Sequence, residues 1–350
     1  MVQEISIVKR DGRKEPLDLD KLHKVVNYSC EGLTGVSASQ VEISSHISFQ
    51  SGMTSEDIQE TMIKAAADLI SEETPNYQLV AGRLITYHLR KQVYGQFEPP
   101  ALKEIVDTNI ANKMYDPLLR KWYDDKEFDQ LEKWIDHKRD ENYTYAAMEQ
   151  FRGKYLVQDR FTKKVYETPQ VALMLIGATL FHNYPKETRM QWVKDFYDSV
   201  SRFEISLPTP VMAGVRTSIR QFSSCVLIES GDSLDSINAT SAAIVKYVSK
   251  RAGIGVGGGN IRAVGSSING GHATHTGVIP FYKHFQSAVR SCSQGGVRGG
   301  AATLYYPIWH YEVEDLLVLK NNKGTEDNRI RHMDYGVPVS YTHLTLPTKA

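Results

Sequence analysis

The sequence predicts an α+β to α/β protein, in which a mostly helical N-terminal part precedes a strand–helix layer or barrel. Up to about residue 220, apolar side chains recur at helical spacing, and a turn signal near the N-terminus predicts one strand hairpin. After Arg220, short strand-like runs alternate with helical runs, which is typical of parallel α/β layers and barrels. The helix expected after the last of these strands does not follow, so we expect this layer to be incomplete.

The composition is that of an ordinary globular protein without net charge. The 41 Lys and Arg residues balance 41 Asp and Glu residues, which argues against a surface for nucleic-acid polymers. The most apolar run, residues 171–181, is too short to span a bilayer, and the charged N-terminus is unlike a secretion signal. Three separated cysteines form no disulfide framework, and the histidines lack metal-ligand spacing. We predict a cytoplasmic, reduced protein with no metal site and no membrane contact.

The first module, residues 1–96, combines a hairpin with helices. Two short strand-like runs flank Asp11-Gly12, a strong turn dipeptide. We expect Asp20 to cap the next helix, and the run Thr54 to Asp57 to open another helix with a capping box. The pair Pro99-Pro100 then marks a boundary, because proline interrupts a helix.

The sequence pattern changes along the later segments. Residues 97–220 keep a helical pattern, and the run 171–181 is predicted to be a buried helix. Residues 222–228 are then expected to form a buried strand. Asp232 is expected to cap a helix that runs through Arg251 and stops at Gly253.

Two glycine-rich stretches follow. The first, "GIGVGGGNIRAVGSSINGG", contains G-x-G-x-x-G, but a helix precedes it, so a dinucleotide fold is rejected. We expect a flexible loop beside Arg262 that contacts a phosphate or sugar, and a plain surface loop is the alternative. The second, residues 291–301, has Gln294 and Arg298 among glycines, which suits anion and base recognition but is a weak signal alone.

Single residues are ambiguous by themselves. Lys9, Arg10, Lys21 and Lys91 are candidates for a basic pocket, although solvated surface side chains are the commoner explanation. Cys225 alone would more often be a small buried apolar residue than a nucleophile.

The combination of segments, however, resembles the large (α) subunit of class I, aerobic-type ribonucleoside-diphosphate reductase. The segments that resemble it are "IVKRDGRKEPLDLDKLHK", "EISLPTPVMAGVRT", "RQFSSCVLIESGDSLDSI", "KRAGIGVGGGNIRA", "IPFYKHFQSAVRSCSQGGVRGGAATLYYPIWH" and "NNKGTEDNRIRHMDYGV". The resemblance implies an ATP-cone in residues 1–96, a helical domain in 97–220 and the first part of a ten-stranded α/β barrel in 221–337. The tail, 338–350, departs from the family and is a candidate end artefact.

The resemblance also implies roles for residues of the barrel segment. Cys225 would be one cysteine of the redox pair that reduces the ribose. The residues implied to hold the substrate beside it are Thr209, Ser224 and Gly253. The residues implied to bind a deoxynucleoside triphosphate that sets specificity are Asp232, Ser233, Leu234, Arg262 and Asn269, the last standing where the family usually has a second basic residue. Gln294 and Arg298 would relay the identity of this effector to the substrate base.

The first module would bind ATP or dATP as an activity switch. The residues at the family's binding positions are Lys9, Arg10, Glu15, Lys21, Ser55, His88 and Lys91. Ser55 replaces a frequent threonine, and Gln59 stands where a basic residue is common.

The resemblance finally implies partners and an incomplete chain. The family works as a homodimer of large subunits with a metal-containing, radical-generating small (β) subunit, and thioredoxin or glutaredoxin re-reduces it for deoxyribonucleotide synthesis. Its radical-forming cysteine and the partner of Cys225 belong to a portion that the 350 residues lack. We therefore expect an N-terminal fragment that is inactive alone but binds nucleotides; the alternative is a non-catalytic nucleotide-binding regulatory protein.

Overall fold

The computed structural model describes residues 5–294 and 298–340, which divide into two compact units. The first unit holds the described residues up to 207 together with 211–220, and the second holds 208–210 and the described residues from 221 onward. Of the tail interpreted as atypical, residues 341–350 lie outside the described ranges.

The first unit opens with the predicted hairpin. Strands β1 (Ser6–Val8) and β2 (Lys14–Pro16) pair antiparallel, with Ser6 opposite Pro16. Gly12 has φ 83°, a value that favours glycine, and Asp11 accepts a hydrogen bond from the Arg13 amide at 3.1 Å. The turn dipeptide therefore predicted this element correctly.

Helices build the rest of this unit. They are α1 (Leu19–Cys30), α2 (Ala38–His46), α3 (Ser55–Asp68), α4 (Tyr77–Tyr94), α5 (Leu102–Ala111), α6 (Leu118–Trp122), α7 (Asp125–Trp134), α8 (Tyr145–Gln150), α9 (Pro169–Leu180) and α10 (Lys186–Ser201). A 3₁₀ helix covers His137–Asn142, and a π-helical turn covers Phe151–Tyr155. Helix α11 (Thr209–Gly214) follows. The ten residues from Pro169 to Ala178 are all buried, so the predicted buried helix is confirmed.

The helix starts test the predicted caps. Thr54 caps α3, and Asp57 completes the capping box, as predicted. Asp18, rather than Asp20, caps α1: its backbone is extended, and its carboxylate accepts from the Lys21 amide at 3.1 Å. Asp20 already lies in the first turn, where a carboxylate interacts favourably with the helix dipole without capping.

The second unit contains a parallel sheet with helices. Its strands are β3 (Cys225–Glu229), β4 (Gly253–Gly257), β5 (Ser267–Ile268), β6 (Ala273–Thr274), β7 (Ser293–Gln294), β8 (Arg298–Gly299), β9 (Ala302–Tyr305) and β10 (Asp334–Gly336). Its helices are α12 (Leu234–Ser249), α13 (Ile279–Arg290) and α14 (Val313–Leu317), with 3₁₀ turns at Asn269–Gly271 and Glu326–Asn328. The sheet order is β10-β9-β4-β3, and all three pairings are parallel. The predicted α/β class is thus confirmed.

A continuous apolar core supports this sheet. Its fully buried side chains come from α12, α13 and the central strands: Ile244, Val248, Val256, Phe285, Val289 and Leu304. None of the helices within the described ranges has both the length and the apolar character required to cross a bilayer.

Three expectations for this unit are wrong. Residues 253–257 form the inner strand β4 and not a flexible loop, and α12 ends at Ser249, before Gly253. A Cβ at Gly255 would lie 2.5 Å from Leu227 Cδ2, so glycine leaves room for the neighbouring strand's side chain. The strand predicted at 222–228 starts at Cys225 and is half exposed, because β3 has a neighbour on one side only among the described strands.

The start of α12 also differs from the prediction. Ser233 is its N-cap, and the Ser233 hydroxyl accepts from the Ser236 amide at 3.2 Å. The Asp232 carboxylate bonds Arg262 instead, and Leu234, the first residue of α12, is 67% exposed. The competing cation is thirty residues away in sequence, so a local pattern does not reveal it.

Candidate functional site

A cavity of about 530 Å³ lies in the first module, between the hairpin and helices α1, α3 and α4. Six of the seven residues predicted for the activity site line it: Lys9, Arg10, Glu15, Lys21, Ser55 and Lys91. They come from several parts of the module, since Lys9 and Glu15 flank the hairpin turn and Lys91 lies in the last turn of α4. The fold therefore gathers residues that the sequence spreads over more than eighty positions.

Two lysines around this cavity, Lys9 and Lys21, pair with carboxylates of the same cavity. Lys9 Nζ lies 2.8 Å from Glu15 Oε1, and Lys21 Nζ lies 3.1 Å from Asp18 Oδ2. The hydrogen bond from Lys9 holds the pKa of Glu15 below its usual value. Arg10 Nη1 donates to the Lys91 carbonyl oxygen at 2.8 Å. These pairs are part-exposed, so they are weak and a polyanion can replace the carboxylates as partner of the cations.

One wall of the cavity is apolar and aromatic. Tyr28 and Tyr87 line it beside Ile7, Leu22 and Ile58. A purine base can stack or pack against such side chains while phosphates meet the cations. The arrangement can thus hold a molecule that has a flat apolar part and a polyanionic part.

Both tyrosines of this wall make further side-chain contacts, Tyr28 with a residue outside the cavity and Tyr87 with a residue that lines it. The Tyr28 hydroxyl donates to Glu141 Oε1 at 2.5 Å, and burial together with this acceptor raises the pKa of Tyr28 to about 12. Lys91 Nζ lies 4.6 Å from the centroid of the Tyr87 ring. Sequence reasoning missed these tyrosines, although Tyr87 stands four positions before Lys91 and therefore shares its helix face.

His88 does not line the cavity. Its side chain is buried, with Nε2 at 3.6 Å from Glu60 Oε1 and 3.7 Å from Glu56 Oε1. Neither ring nitrogen has a hydrogen-bond partner among the described residues. Burial lowers the pKa of His88, so the imidazole is neutral at neutral pH. Gln59, by contrast, lines the cavity.

In the second unit, three of the predicted substrate residues meet at the start of two adjacent strands. Cys225 opens β3 directly opposite Gly253, which opens β4, and the Gly253 amide donates to the Ser224 carbonyl at 2.7 Å. A Cβ at Gly253 would lie 3.9 Å from Cys225 Sγ, so the thiol lies over the glycine backbone. Cys225 is exposed and forms no disulfide. Thr209 is the first residue of α11.

The residues predicted to bind the specificity effector form a second group in this unit. Arg262 Nε donates to Asp232 Oδ2 at 2.6 Å, and the Arg262 amide donates to Asp232 Oδ1 at 2.9 Å. Ser233 and Leu234 follow at the start of α12, where backbone amides favour anions. Asn269 lies in the turn after β5 with φ 51°. Arg262 and the helix start together could hold phosphates.

The second glycine-rich stretch forms a short ribbon. Backbone pairing joins Gln294 to Arg298 across β7 and β8. Residues 295–297, which include two glycines of this stretch, lie outside the described residues. In the ranges that the structure describes, no group of three or more His, Cys, Asp or Glu side chains is arranged to hold a metal ion.

Comparison with known families and proteins now identifies the three segments. The ATP cone domain matches residues 5–92, the all-alpha domain of ribonucleotide reductase matches 141–220, and the barrel domain of ribonucleotide reductase matches 223–343. The four-stranded parallel sheet is therefore part of a barrel domain.

Similar proteins agree with these matches. The chain is 62% identical over 347 residues to ribonucleoside-diphosphate reductase 1 subunit alpha of Escherichia coli, and 61% identical to that of Salmonella typhimurium. It is 60% identical to the Haemophilus influenzae subunit alpha. These alignments cover 97–98% of this chain but 45–46% of the relatives, so the chain spans about half their length. The chain belongs to the family of ribonucleotide reductase large (alpha) subunits.

Proposed function

We propose that this chain binds ATP and dATP in the cavity of its first module, as the regulatory and substrate-binding part of a ribonucleoside-diphosphate reductase alpha subunit. The observation that supports it most is the gathering of Lys9, Arg10, Lys21 and Lys91 around one cavity with an aromatic wall. In this proposal Lys9 and Lys21 exchange their carboxylate partners for phosphates, and Glu15 and Ser55 are left to bond the sugar. His88, which does not line the cavity, stays in this proposal as a buried, neutral residue of the module.

Isothermal titration of the 350-residue chain with ATP and dATP tests the binding. Lys9→Met should weaken binding at least about tenfold, because a charge-assisted hydrogen bond contributes about 1.5–3 kcal/mol. Lys14→Met is the matched control, since Lys14 is an exposed lysine of the same hairpin and does not line the cavity. Equal affinities for the wild type and both variants would contradict the proposal.

For the whole protein, we propose reduction of ribonucleoside diphosphates to 2′-deoxyribonucleoside diphosphates for DNA synthesis. Cys225 and a second thiol supply two electrons and end as a disulfide, while the 2′-hydroxyl leaves as water. Thr209, Ser224 and Gly253 hold the substrate. The exposed thiol over a glycine backbone supports this role, because it leaves space for a sugar.

The remaining roles follow the same proposal. Asp232, Ser233, Leu234, Arg262 and Asn269 bind the specificity effector, a deoxynucleoside triphosphate, and Gln294 and Arg298 relay its identity. The proposed partners are a second alpha subunit, a metal-containing radical-generating small subunit, and thioredoxin or glutaredoxin, in the cytoplasm. The proposed domains are the ATP-cone in residues 1–96, the helical domain in 97–220 and the first part of the barrel in 221–337, followed by the tail 338–350.

Cytidine diphosphate reduction by the product of the complete source gene tests the catalytic part. The preparation needs the small subunit, a thioredoxin system and ATP, and the Cys225→Ser variant should be inactive while it still binds ATP. We expect the 350-residue chain to be inactive under the same conditions. Failure of the complete gene product to reduce the substrate, with intact ATP binding, would favour a non-catalytic regulatory protein.

A further inference from the structure

The loop of residues 261–278 is the larger part of the segment between β4 and α13, and it includes Arg262 and Asn269. Within it, the two-residue strands β5 and β6 pair through Ser267–Thr274 and Ile268–Ala273. Two further backbone bonds flank this ribbon, from Gly265 to His275 O at 2.9 Å and from His275 to Ser266 O at 2.8 Å. So short a ribbon has little stability of its own. Contacts with residues outside the ribbon must therefore fix its position relative to the sheet.

The carboxylate of Glu312 joins both ends of this loop. Its Oε2 accepts the amide of Val264 at 2.9 Å and the amide of Val278 at 3.1 Å. The side chain is 8% exposed, and these two amides lie fourteen positions apart in the chain. Amide donors to a buried carboxylate form strong, charge-assisted bonds. A single carboxylate oxygen, Glu312 Oε2, thus links the two ends of the loop.

The surroundings of Glu312 are built for this contact. Gly277 has φ 92°, and a Cβ at that position would lie 2.6 Å from Glu312 Oε1. Only glycine therefore lets the chain pass the carboxylate without displacement. The end of the loop and the carboxylate fit each other sterically as well as electrostatically.

His310 adds a third point of attachment. Its Nδ1 accepts the Glu312 amide at 3.1 Å, which leaves Nε2 protonated, and Nε2 donates to the Ile261 carbonyl oxygen at 3.1 Å. The imidazole is buried, and both of its nitrogens are used. The segment 310–312 therefore fastens the loop at residues 261, 264 and 278.

These attachments lie on both sides of Arg262. Ile261 is held by His310 and Val264 by Glu312, while the guanidinium of Arg262 reaches Asp232 and the Ser267 carbonyl oxygen. Arg262 is itself part-exposed. Fixing the backbone on each side limits where its guanidinium can go, and preorganised donors bind anions more tightly than mobile ones.

We propose that Glu312 is a positioning residue for the specificity effector: it fixes the 261–278 loop so that Arg262 meets the triphosphate. The inference deepens the proposed function and rests on it. Glu312 does not touch the nucleotide and acts through the two amides that it accepts. Loss of its carboxylate should therefore weaken effector binding without changing nucleotide binding in the first module.

The test compares three variants of the 350-residue chain. Glu312→Ala removes the acceptor, and Glu312→Gln keeps the shape and one acceptor oxygen. Glu314→Gln is the control, since Glu314 is an exposed carboxylate in α14, the helix that begins directly after Glu312. Hydrogen exchange of the amides of Val264 and Val278 measures how firmly the two ends of the loop are held. Titration with deoxythymidine triphosphate reports the effector site, and titration with ATP reports the first module.

We expect faster exchange at both amides in Glu312→Ala, and affinity for deoxythymidine triphosphate at least about tenfold lower, with ATP affinity unchanged. Glu312→Gln should be intermediate, and Glu314→Gln should match the wild type. If Glu312→Ala does not fold, a smaller loss of deoxythymidine triphosphate affinity in Glu312→Gln, exceeding about twofold, with unchanged ATP affinity supports the proposal.

Two results would contradict the proposal, and each would reject a different part of it. Deoxythymidine triphosphate affinity within twofold of the wild type in both Glu312 variants would refute the positioning role alone. A wild-type chain that binds ATP but no deoxythymidine triphosphate would refute the effector site and the positioning role together.

Discussion

We expect Asp140 to make the stability of the first unit depend on pH, and replacing it with asparagine should remove this contribution. The side chain is fully buried in the 3₁₀ helix His137–Asn142, where Gln170 Nε2 donates to Oδ1 at 3.0 Å. Arg90 Nη2 lies 3.8 Å from Oδ2, too far for a hydrogen bond. Burial raises the pKa of Asp140 to about 7, and the charge of Arg90 opposes this only in part.

The sign and size of the effect follow from this pKa. The folded protein holds the proton up to about pH 7, whereas the unfolded chain releases it near 3.8. The contribution of Asp140 to stability is therefore fully present below pH 3.8 and is lost as the pH rises to 7 and above. A difference of about three pKa units corresponds to about 4 kcal/mol, at 1.36 kcal/mol per unit.

Urea unfolding at pH 5 and pH 8 measures the effect. Relative to the wild type, Asp140→Asn should be more stable at pH 8 by up to about 4 kcal/mol and should gain much less at pH 5. Asp129→Asn, which changes an exposed carboxylate on α7, is the control and should follow the wild type at both pH values. An Asp140→Asn curve parallel to the wild type between pH 5 and pH 8 would refute the reasoning.

Two further changes test the packing of the same unit. Gly82→Ala should cost at least about 3 kcal/mol in thermal unfolding, because the added Cβ would lie 2.0 Å from the Tyr143 carbonyl oxygen. Gly153→Ala, where a Cβ meets nothing within 4 Å, is its control, and an equal effect at both sites would contradict the packing argument. Arg216→Met should cost about 3–5 kcal/mol in urea unfolding, because it leaves the fully buried Glu167 carboxylate without its ion-pair partner. The double variant with Glu167→Met should recover most of this loss, and additive losses would disprove the pairing.

Local signals in the sequence predicted the elements that local chemistry determines. Asp11-Gly12 identified the hairpin turn, and Thr54 with Asp57 identified the start of α3, because the residues that form each feature are adjacent. The inner strand β4 was predicted as a loop, since its glycines usually indicate one. The Leu227 side chain, which fills the space over Gly255, comes from another strand and is invisible in a local window.

The candidate site was predictable to a similar extent. The resemblance supplied six residues that line the cavity, but neither the pattern nor the resemblance identified Tyr28. Asp232 was predicted as a helix cap because a neighbouring serine of equal capping ability could not be preferred from sequence alone. The contacts of Glu312 join residues up to 48 positions apart, so they follow only from the fold.

Photolabelling with 8-azido-ATP tests the central claim, nucleotide binding in the first-module cavity, most directly. The 350-residue chain is irradiated with the probe, with and without excess ATP, and the labelled peptides are sequenced. We expect saturable labelling within residues 7–28 or 87–95, the ranges that contain most of the residues lining the cavity, and its loss when ATP is present. Saturable labelling confined to residues 221–340, or labelling that ATP does not reduce, would contradict it.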